Sequence, residues 1–482
     1  MINSLPVAKN TIIYTSALVM QKVLSFVYFV VVARFLSVGE IGKYTFALSF
    51  TAIFAIIIDF GLGQLLTREV AKDRRQTQKL LANILSLKLI LAVLVYGLVA
   101  VMVNVLKYPE LTRQLVYLSG LVMILDALTL NFYAVLRGWQ NLTFESLGAV
   151  GNQVVVMFLG LVFLNFGWSL HWLIMAYLGG SLFNLLFSLS KYQKTVDGWP
   201  AWQLDWQFLK PLLVMALPFA MAGLFARLYG YADIVLLSKL AGDQAVGWYS
   251  VAYKLTFAFQ FIPLAFMAAF LPAMSNFYVL DKARAKQLLE EMMFYLLLIV
   301  LPIAGGIFVL APEIIVTLYG PQYLPAATAL RILITSLLFV YLNFPFGTTL
   351  NACDRQQKNM YNLAWATVAS VGLNLLLIPI FGFVGSAWAA LGTGIILMIL
   401  NNYQVRKFLA YNWLKILGSG FKILAVTSLM MLVVAWLKLS VWWPLAVVVG
   451  VVFYGLSIWW VKIIKTKDLE FLYRLIKKEK SL

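Results

Sequence analysis

The chain has 482 residues, 63% of them hydrophobic and only 12% charged. Soluble globular proteins run at about 45–50% apolar and about 25% charged residues, so this composition excludes an ordinary soluble domain. The net charge of +18 would suit nucleic acid, but its placement argues otherwise: most Lys and Arg fall in one alternating set of connections between apolar runs, the signature of cytoplasmic loops.

The apolar runs reach the roughly 20 residues that a helix needs to cross a bilayer. The first two cover about 10–34 and about 41–66, joined by a short outer turn. The first run is longer than a signal-peptide core and has no small-residue cleavage site, so it is read as retained. Arg68, Lys72, Arg74, Arg75 and Lys79 crowd the next connection and place it, and with it the N-terminus, in the cytoplasm. Four more runs follow at about 80–106, 114–136, 143–165 and 170–190. Residues 191–210, with Asp197-Gly198-Trp199-Pro200 and further tryptophans, read as an interfacial linker. The second half places runs at about 211–238, 245–273, 289–310, 326–350, 359–380 and 384–405. Residues 311–325 form the longest outer loop. A final hairpin, about 418–437 and 443–463, precedes a basic tail. That tail has Leu469, Leu472, Tyr473 and Ile476 on one side, as an amphipathic surface helix would.

The chain repeats itself at an offset of 205 residues. Arg34, Gly42 and Tyr44 return as Lys239, Gly247 and Tyr249, and the same offset sets Lys22 on Arg227. Further along, Phe166-Gly167 returns as Phe381-Gly382, and Leu136-Arg137-Gly138 corresponds to Leu350-Asn351-Ala352. Both halves begin on the same side, so an axis along the membrane normal should relate them. The expected fold is all-α with fourteen transmembrane helices. It divides into a six-helix bundle over 1–205, a second over 206–410, an extra hairpin over 411–464 and a cytoplasmic tail over 465–482.

Several segments together resemble a known family. They are Ala33-Arg34-Phe35-Leu36 with Gly42-Lys43-Tyr44, Asp59-Phe60-Gly61-Leu62, Arg68-Glu69-Val70-Ala71, Asp233 with Gly247-Trp248-Tyr249, and Phe381-Gly382-Phe383-Val384-Gly385. In order and spacing they are similar to the polysaccharide-transporter branch of the multidrug/oligosaccharidyl-lipid/polysaccharide exporter superfamily, which includes O-antigen flippases. The resemblance implies two bundles forming a V, with the first and seventh helices beside a central cavity. It implies a cargo of oligosaccharide on a polyprenyl diphosphate, and work alongside a polysaccharide polymerase and chain-length partners. The added hairpin departs from the commoner twelve-helix pattern; in lipid II relatives such a hairpin forms a groove for the lipid tail.

A carrier of such a cargo must replace the hydration of sugar hydroxyls and a diphosphate across about 30 Å of hydrocarbon. Arginine meets phosphate through a bidentate fork and lysine as a point charge. Lys22 and Arg227, one from each half, are the expected headgroup contacts, against the alternative of buried ion pairs that pin the bundles. Lys254 is a third cavity cation, or it snorkels or forms a salt bridge with Asp233. Asp233 is a gate or ion-pair residue, and Asp59 either caps the end of its helix or forms an inner gate or proton site. Lys88 and Asp126 are expected to pair within the first bundle, with a coupling role as the alternative. Arg34 and Lys239, at matched outer ends, either snorkel and position helices or act in a gate. His171 and the lone Cys353 are expected to be structural and inert. Prolines such as Pro218 and Pro263 either hinge or statically shape the cavity.

No Gly-rich phosphate loop, metal-ligand cluster or cofactor motif is visible, so neither enzyme chemistry nor an ATP site is expected. The expectation is a monomeric flippase in the cytoplasmic membrane, both termini inside, that moves a lipid-linked oligosaccharide to the outer leaflet by alternating access. A lipid II-type flippase is the nearest alternative. A cation-coupled multidrug exporter on the same scaffold is a rival, but it would favour acidic or aromatic rather than cationic cavity residues. A membrane glycosyltransferase or polymerase would need larger outer loops or paired interfacial carboxylates.

Overall fold

The computed structural model describes residues 4–196 and 198–463. Among them 88% are helical and none forms a strand. In a medium with no water, only a helix satisfies every backbone group within its own segment, and the apolar runs leave little else available. The basic tail, with the amphipathic stripe around Leu469 and Tyr473, lies outside the described residues.

Fifteen α-helices follow in order: α1 (Ser4–Phe35), α2 (Val38–Asp59), α3 (Leu62–Lys72), α4 (Thr77–Val105), α5 (Glu110–Gly138), α6 (Thr143–Asn165), α7 (Leu170–Gln193), α8 (Trp206–Ala258), α9 (Phe261–Leu280), α10 (Lys282–Val309), α11 (Ala311–Tyr319), α12 (Ala326–Ala352), α13 (Gln356–Arg406), α14 (Trp413–Leu437) and α15 (Trp443–Trp460). Twelve stretches are long and apolar enough to span a membrane. Two of these, Trp206–Met267 and Gln356–Arg406, hold 62 and 51 residues, and at 1.5 Å per residue each is more than twice the roughly 30 Å hydrocarbon thickness. A glycine breaks each one, Gly242 (φ 83°, ψ 176°) and Gly382 (φ 57°, ψ −135°), and the first stretch turns again between Ala258 and Phe261. Counted as double crossings, they bring the twelve stretches to the fourteen spans expected.

The two halves make the same turn by different chemistry. Between α1 and α2, Ser37 and Glu40 form a capping box, with the Glu40 amide donating to the Ser37 hydroxyl and the Ser37 amide donating to the Glu40 carboxylate. At the matching position of the second half stands Gly242, whose positive φ supplies the turn without a cap.

Two elements depart from the sequence reading. The single helix expected over about 41–66 is broken: α2 ends at Asp59, and Phe60 (φ 46°) and Gly61 (φ 70°) are both left-handed before α3 begins. A Cβ at Gly61 would lie 2.8 Å from the Ala216 carbonyl and 2.7 Å from the Ala220 nitrogen, so the break sits hard against α8. The loop expected over 311–325 contains the helix α11, because Ala311, Ile314, Ile315 and Tyr319 bury one face of it.

The chain forms two compact units. The first runs up to Ala258 and takes in Leu318–Pro325 and Leu363–Ala389. Its core includes Leu62, Leu66, Leu81, Phe132, Val135 and Tyr192. Within it α2 packs along α8, while α5, α6 and α7 pack on one another. The second unit holds Phe259–Thr317, Ala326–Asn362 and the chain from Ala390 on. Its core gathers Phe270, Met293, Leu296, Leu337, Tyr341 and Phe346. There Asn401 links α13 to α12 through Asn343 at 2.8 Å, and accepts from Asn362 at 2.7 Å. The added hairpin belongs to this second unit: Lys415 of α14 pairs with Glu290 at 2.9 Å, and Lys438, just past its other end, pairs with Glu313 at 3.0 Å.

Candidate functional site

Every charged residue singled out from the sequence as a site candidate lies in the first unit, on α1, α2, α4, α5 and α8. Lys22 of α1 and Lys254 of α8 face each other's helices. The Lys22 ammonium lies 5.1 Å from the centre of the Phe257 ring on α8, and that of Lys254 lies 5.5 Å from the Phe29 ring on α1. The two lysines are close enough for the charge of one to act on the other. Arg227 lies one helical turn before Tyr231, its guanidinium 6.0 Å from that ring, and its charge acts on Asp126 of α5. Lys22 and Asp126 are exposed, and Lys254 and Arg227 are half-buried. All four side chains keep accessible surface. Accessible surface at charged side chains on apolar spanning helices is what a polar recess requires.

Among the described residues, none of Lys22, Lys254 and Arg227 forms an ion pair with a carboxylate or a hydrogen bond. Their partners are aromatic faces, which attract cations through the ring quadrupole. An aromatic face offers about 0.5–2 kcal/mol, well short of a full counter-charge in a low-dielectric setting. The sequence alternative of permanent carboxylate pairs is therefore not what the structure contains at these three positions.

The remaining candidates are paired differently from the sequence reading. Lys88 is fully buried and bonds Asp59 at 2.7 Å, not Asp126. Asp126 instead accepts from the Ser181 hydroxyl at 2.6 Å. The sequence reading joined Lys88 to Asp126 because both lie in the first half on successive helices. The break after α2 supplies the reason for the difference, since Asp59 is the last residue of α2 and Lys88 reaches it there. Asp59 does not cap the helix with its side chain; the Phe60 amide closes α2 on the Ile56 carbonyl. Asp233 is not bonded to Lys254: it accepts from the Tyr249 hydroxyl at 2.5 Å and from the Ile234 amide at 2.8 Å. Arg34 and Lys239 hold matched positions by matched means. Arg34 donates to the Leu318 carbonyl in the last turn of α11 at 2.8 Å, and Lys239 to the Leu106 carbonyl capping α4 at 2.7 Å. Each cation thus satisfies carbonyls at the C-terminal end of a helix from the other half of the sequence, where the helix dipole also favours it.

Cys353 is buried outside the spans, and burial pushes its thiol up to about 11, which leaves almost no thiolate at neutral pH. His171 bridges Gln114 at 2.7 Å and Ser169 at 3.3 Å, tying the start of α7 to α5. Among the described residues, no group of three His, Cys, Asp or Glu side chains is placed to hold a metal ion.

Sequence reasoning missed an aromatic stack on α8. Tyr249, Tyr253 and Phe257 stack in succession on α8, with centroids 5.8 and 5.9 Å apart and ring planes within 24° and 19°. Their spacing of four residues is one helical face, a signal that was present but indistinguishable from ordinary apolar packing in so aromatic a chain.

Residues 7–278 match the polysaccharide biosynthesis protein family, and residues 218–380 match the MatE family. Stage V sporulation protein B of Bacillus subtilis is 25% identical over 438 residues, covering 81% of this chain and 82% of the relative. The probable low-salt glycan biosynthesis flippase Agl15 of Haloferax volcanii is 20% identical over 380 residues, covering 78% and 79%. Among solved structures, the lipid II flippase MurJ in an inward closed conformation superposes with a TM-score of 0.78 at 14% identity, over 94% of this chain and 100% of that one.

Proposed function

This chain belongs to the polysaccharide biosynthesis protein family, and from that premise we propose that its cargo is an oligosaccharide linked to a polyprenyl diphosphate. The chain is a multi-pass membrane protein of the multidrug/oligosaccharidyl-lipid/polysaccharide exporter superfamily, a flippase-type transporter. In our reading it stands in the cytoplasmic membrane with both termini inside. It moves its cargo from the cytoplasmic to the outer leaflet by alternating access, in the service of surface polysaccharide synthesis. The repeat division at about residue 205 supplies one headgroup cation from each half.

The observation that supports this reading is the set Lys22, Lys254 and Arg227, three cations that keep accessible surface and form no ion pair with a carboxylate among the described residues. A cation kept inside a membrane protein without a permanent counter-charge is costly. A diphosphate entering the recess supplies the missing charge and leaves again with the cargo, so the cations stay available for the next cycle. Arg227 offers the bidentate fork and the two lysines flexible point charges. Translocation makes and breaks no covalent bond, so no nucleophile has a role in this mechanism. A cationic multidrug cargo fits the same recess poorly, because it would meet three like charges. A lipid II-type cargo carries the same diphosphate and remains the second reading, favoured by the fold likeness to MurJ.

The test is glycan export in cells carrying Lys22→Ala with Arg227→Ala. The double variant should accumulate in the membrane at normal levels and lose export. Normal surface glycan in that strain would overturn the proposal.

A further inference from the structure

We propose that the short segment Leu318–Pro325 is a bolt across the outer end of the seam between α1–α2 and α8, and that its release from Trp248 opens the recess to the outside. This rests on the alternating-access reading above and adds the device that holds one of its two states.

The segment starts in the last turn of α11 and ends just before α12. It groups with the first unit, whereas the chain directly before and after it, to Thr317 and from Ala326, groups with the second. Its conformation is set locally. Gly320 takes φ 104°, which favours glycine, and Pro321 opens a short turn over Pro321–Tyr323.

The segment bonds to both sides of the seam. On the first-repeat side, the Arg34 guanidinium donates to the Leu318 carbonyl at 2.8 Å, and the Tyr323 hydroxyl donates to the Leu36 carbonyl at 3.4 Å. The Tyr319 ring also meets Phe29 of α1 edge-on, with centroids 6.3 Å apart. On the second-repeat side, the Trp248 indole of α8 donates to the Gln322 carbonyl at 3.2 Å. The α1–α2 turn and the start of α8 beyond Gly242 cannot part while both sets of bonds hold.

The two sides are unequal. Toward α1 there are two hydrogen bonds and an aromatic contact, and Tyr319 and Tyr323 are fully buried. Toward α8 there is one exposed hydrogen bond, and the Trp248 ring already has Phe383 as a partner 5.2 Å away. The bolt therefore parts at Trp248 and stays on α1. The closed form also carries a cost. Among the described residues, the Tyr319 hydroxyl is buried without a hydrogen-bond partner, an uncommon state for a phenol. A closed state held by one neutral bond on its weaker side, and penalised by an unpaired hydroxyl, is set close in free energy to an open one, as an alternating cycle requires.

The test reads opening directly and needs no cargo. In a Cys353→Ala chain, Lys22→Cys places one thiol in the recess, and a membrane-impermeant maleimide is applied from the outer side of oriented vesicles. Trp248→Phe keeps a ring against Phe383 and removes the indole N–H. It should raise the labelling rate roughly fivefold, the weight of one net hydrogen bond. Tyr319→Phe removes the unpaired hydroxyl, favours the closed state and should slow labelling by a similar factor. Opposite effects of two ring-preserving changes separate a bolt from general loosening of the fold. An unchanged or slower rate in Trp248→Phe, or an unchanged or faster rate in Tyr319→Phe, would overturn the bolt. So would a thiol that the outside reagent reaches in none of the three chains. Each of these results leaves the diphosphate reading standing, whereas loss of diphosphate preference with the labelling pattern intact would overturn that reading alone.

Discussion

Gly42 and Gly247 occupy equivalent places in the two repeats and press on each other's partners: a Cβ at Gly42 would run into the carbonyl of Asp243, and one at Gly247 into the carbonyl of Val38. Val38 and Asp243 are themselves equivalent at the same offset of 205. The contact is therefore reciprocal, as in a two-fold interface where residue i meets j and j meets i. Arg34 and Lys239 repeat the reciprocity a short distance away through the Leu318 and Leu106 carbonyls. Glycine at both positions lets α2 and α8 approach to backbone contact.

Gly42→Ala and Gly247→Ala should therefore each destabilise the seam, by about 1–3 kcal/mol as overpacking does, and by similar amounts because the two contacts are equivalent. Gly39→Ala is the control, since among the described residues no atom would lie within 4 Å of its new Cβ. Thermal unfolding of the detergent-purified variants checks this. A Gly39→Ala loss equal to that of Gly42→Ala would show that the seam is not the cause.

The repeat was legible in the sequence because its signals are local: apolar runs of spanning length, and Arg34, Gly42 and Tyr44 returning in register. The tertiary pairings were not. Lys88 is equally apt for Asp59 or Asp126 until the left-handed Phe60 and Gly61 fix where α2 ends, and an apolar sequence gives that break little outward sign. Charge alone makes Asp233 a candidate partner for Lys254, yet the Tyr249 hydroxyl takes it. The cations themselves were conspicuous, since charge in an apolar run is rare. The tyrosines beside them were not, because a chain with 23 Tyr and 34 Phe hides them.

The Asp59–Lys88 pair should respond unequally to loss of its two members. Lys88 is fully buried while Asp59 is 21% exposed. Asp59→Asn strands a buried ammonium and should cost about 3–5 kcal/mol. Lys88→Met leaves a carboxylate that water can reach and should cost less. Asp59→Asn with Lys88→Met should recover much of the loss. Unfolding free energies of the three variants form the cycle that measures it; additive losses would show that the pair contributes nothing as a pair.

The clamp on the added hairpin should depend on the acid more than the base. Glu290 is buried and accepts from both the Lys415 ammonium and the Asn412 amide, whereas Lys415 is largely exposed. Lys415→Ala should cost at most about 1 kcal/mol, as exposed pairs do. Glu290→Ala removes the acceptor of both hydrogen bonds at once and should cost more, about 1–3 kcal/mol. Protease sensitivity of the connection before α14 is the readout. Equal sensitivity in the two variants would contradict this order.

Cys353 should label slowly. Burial raises its thiol from 9.0 to about 11, so at pH 8 the thiolate fraction is on the order of one in a thousand. Iodoacetamide modification of the folded chain, with this single cysteine, should stay slow until the pH approaches 11. The linkage sign follows: above pH 9 the unfolded chain holds fewer protons than the folded one, so this group's contribution to stability falls as pH rises from about 9 to about 11. Rapid modification at pH 8 would show the thiol to be accessible and unshifted.

The most direct measurement is binding of undecaprenyl diphosphate against undecaprenol of the same chain length to the purified protein, by native mass spectrometry. The diphosphate should be preferred at least tenfold by wild type, and Lys22→Ala with Arg227→Ala should bind the two lipids alike. Equal binding by wild type, or a preference that survives loss of both cations, would contradict the account.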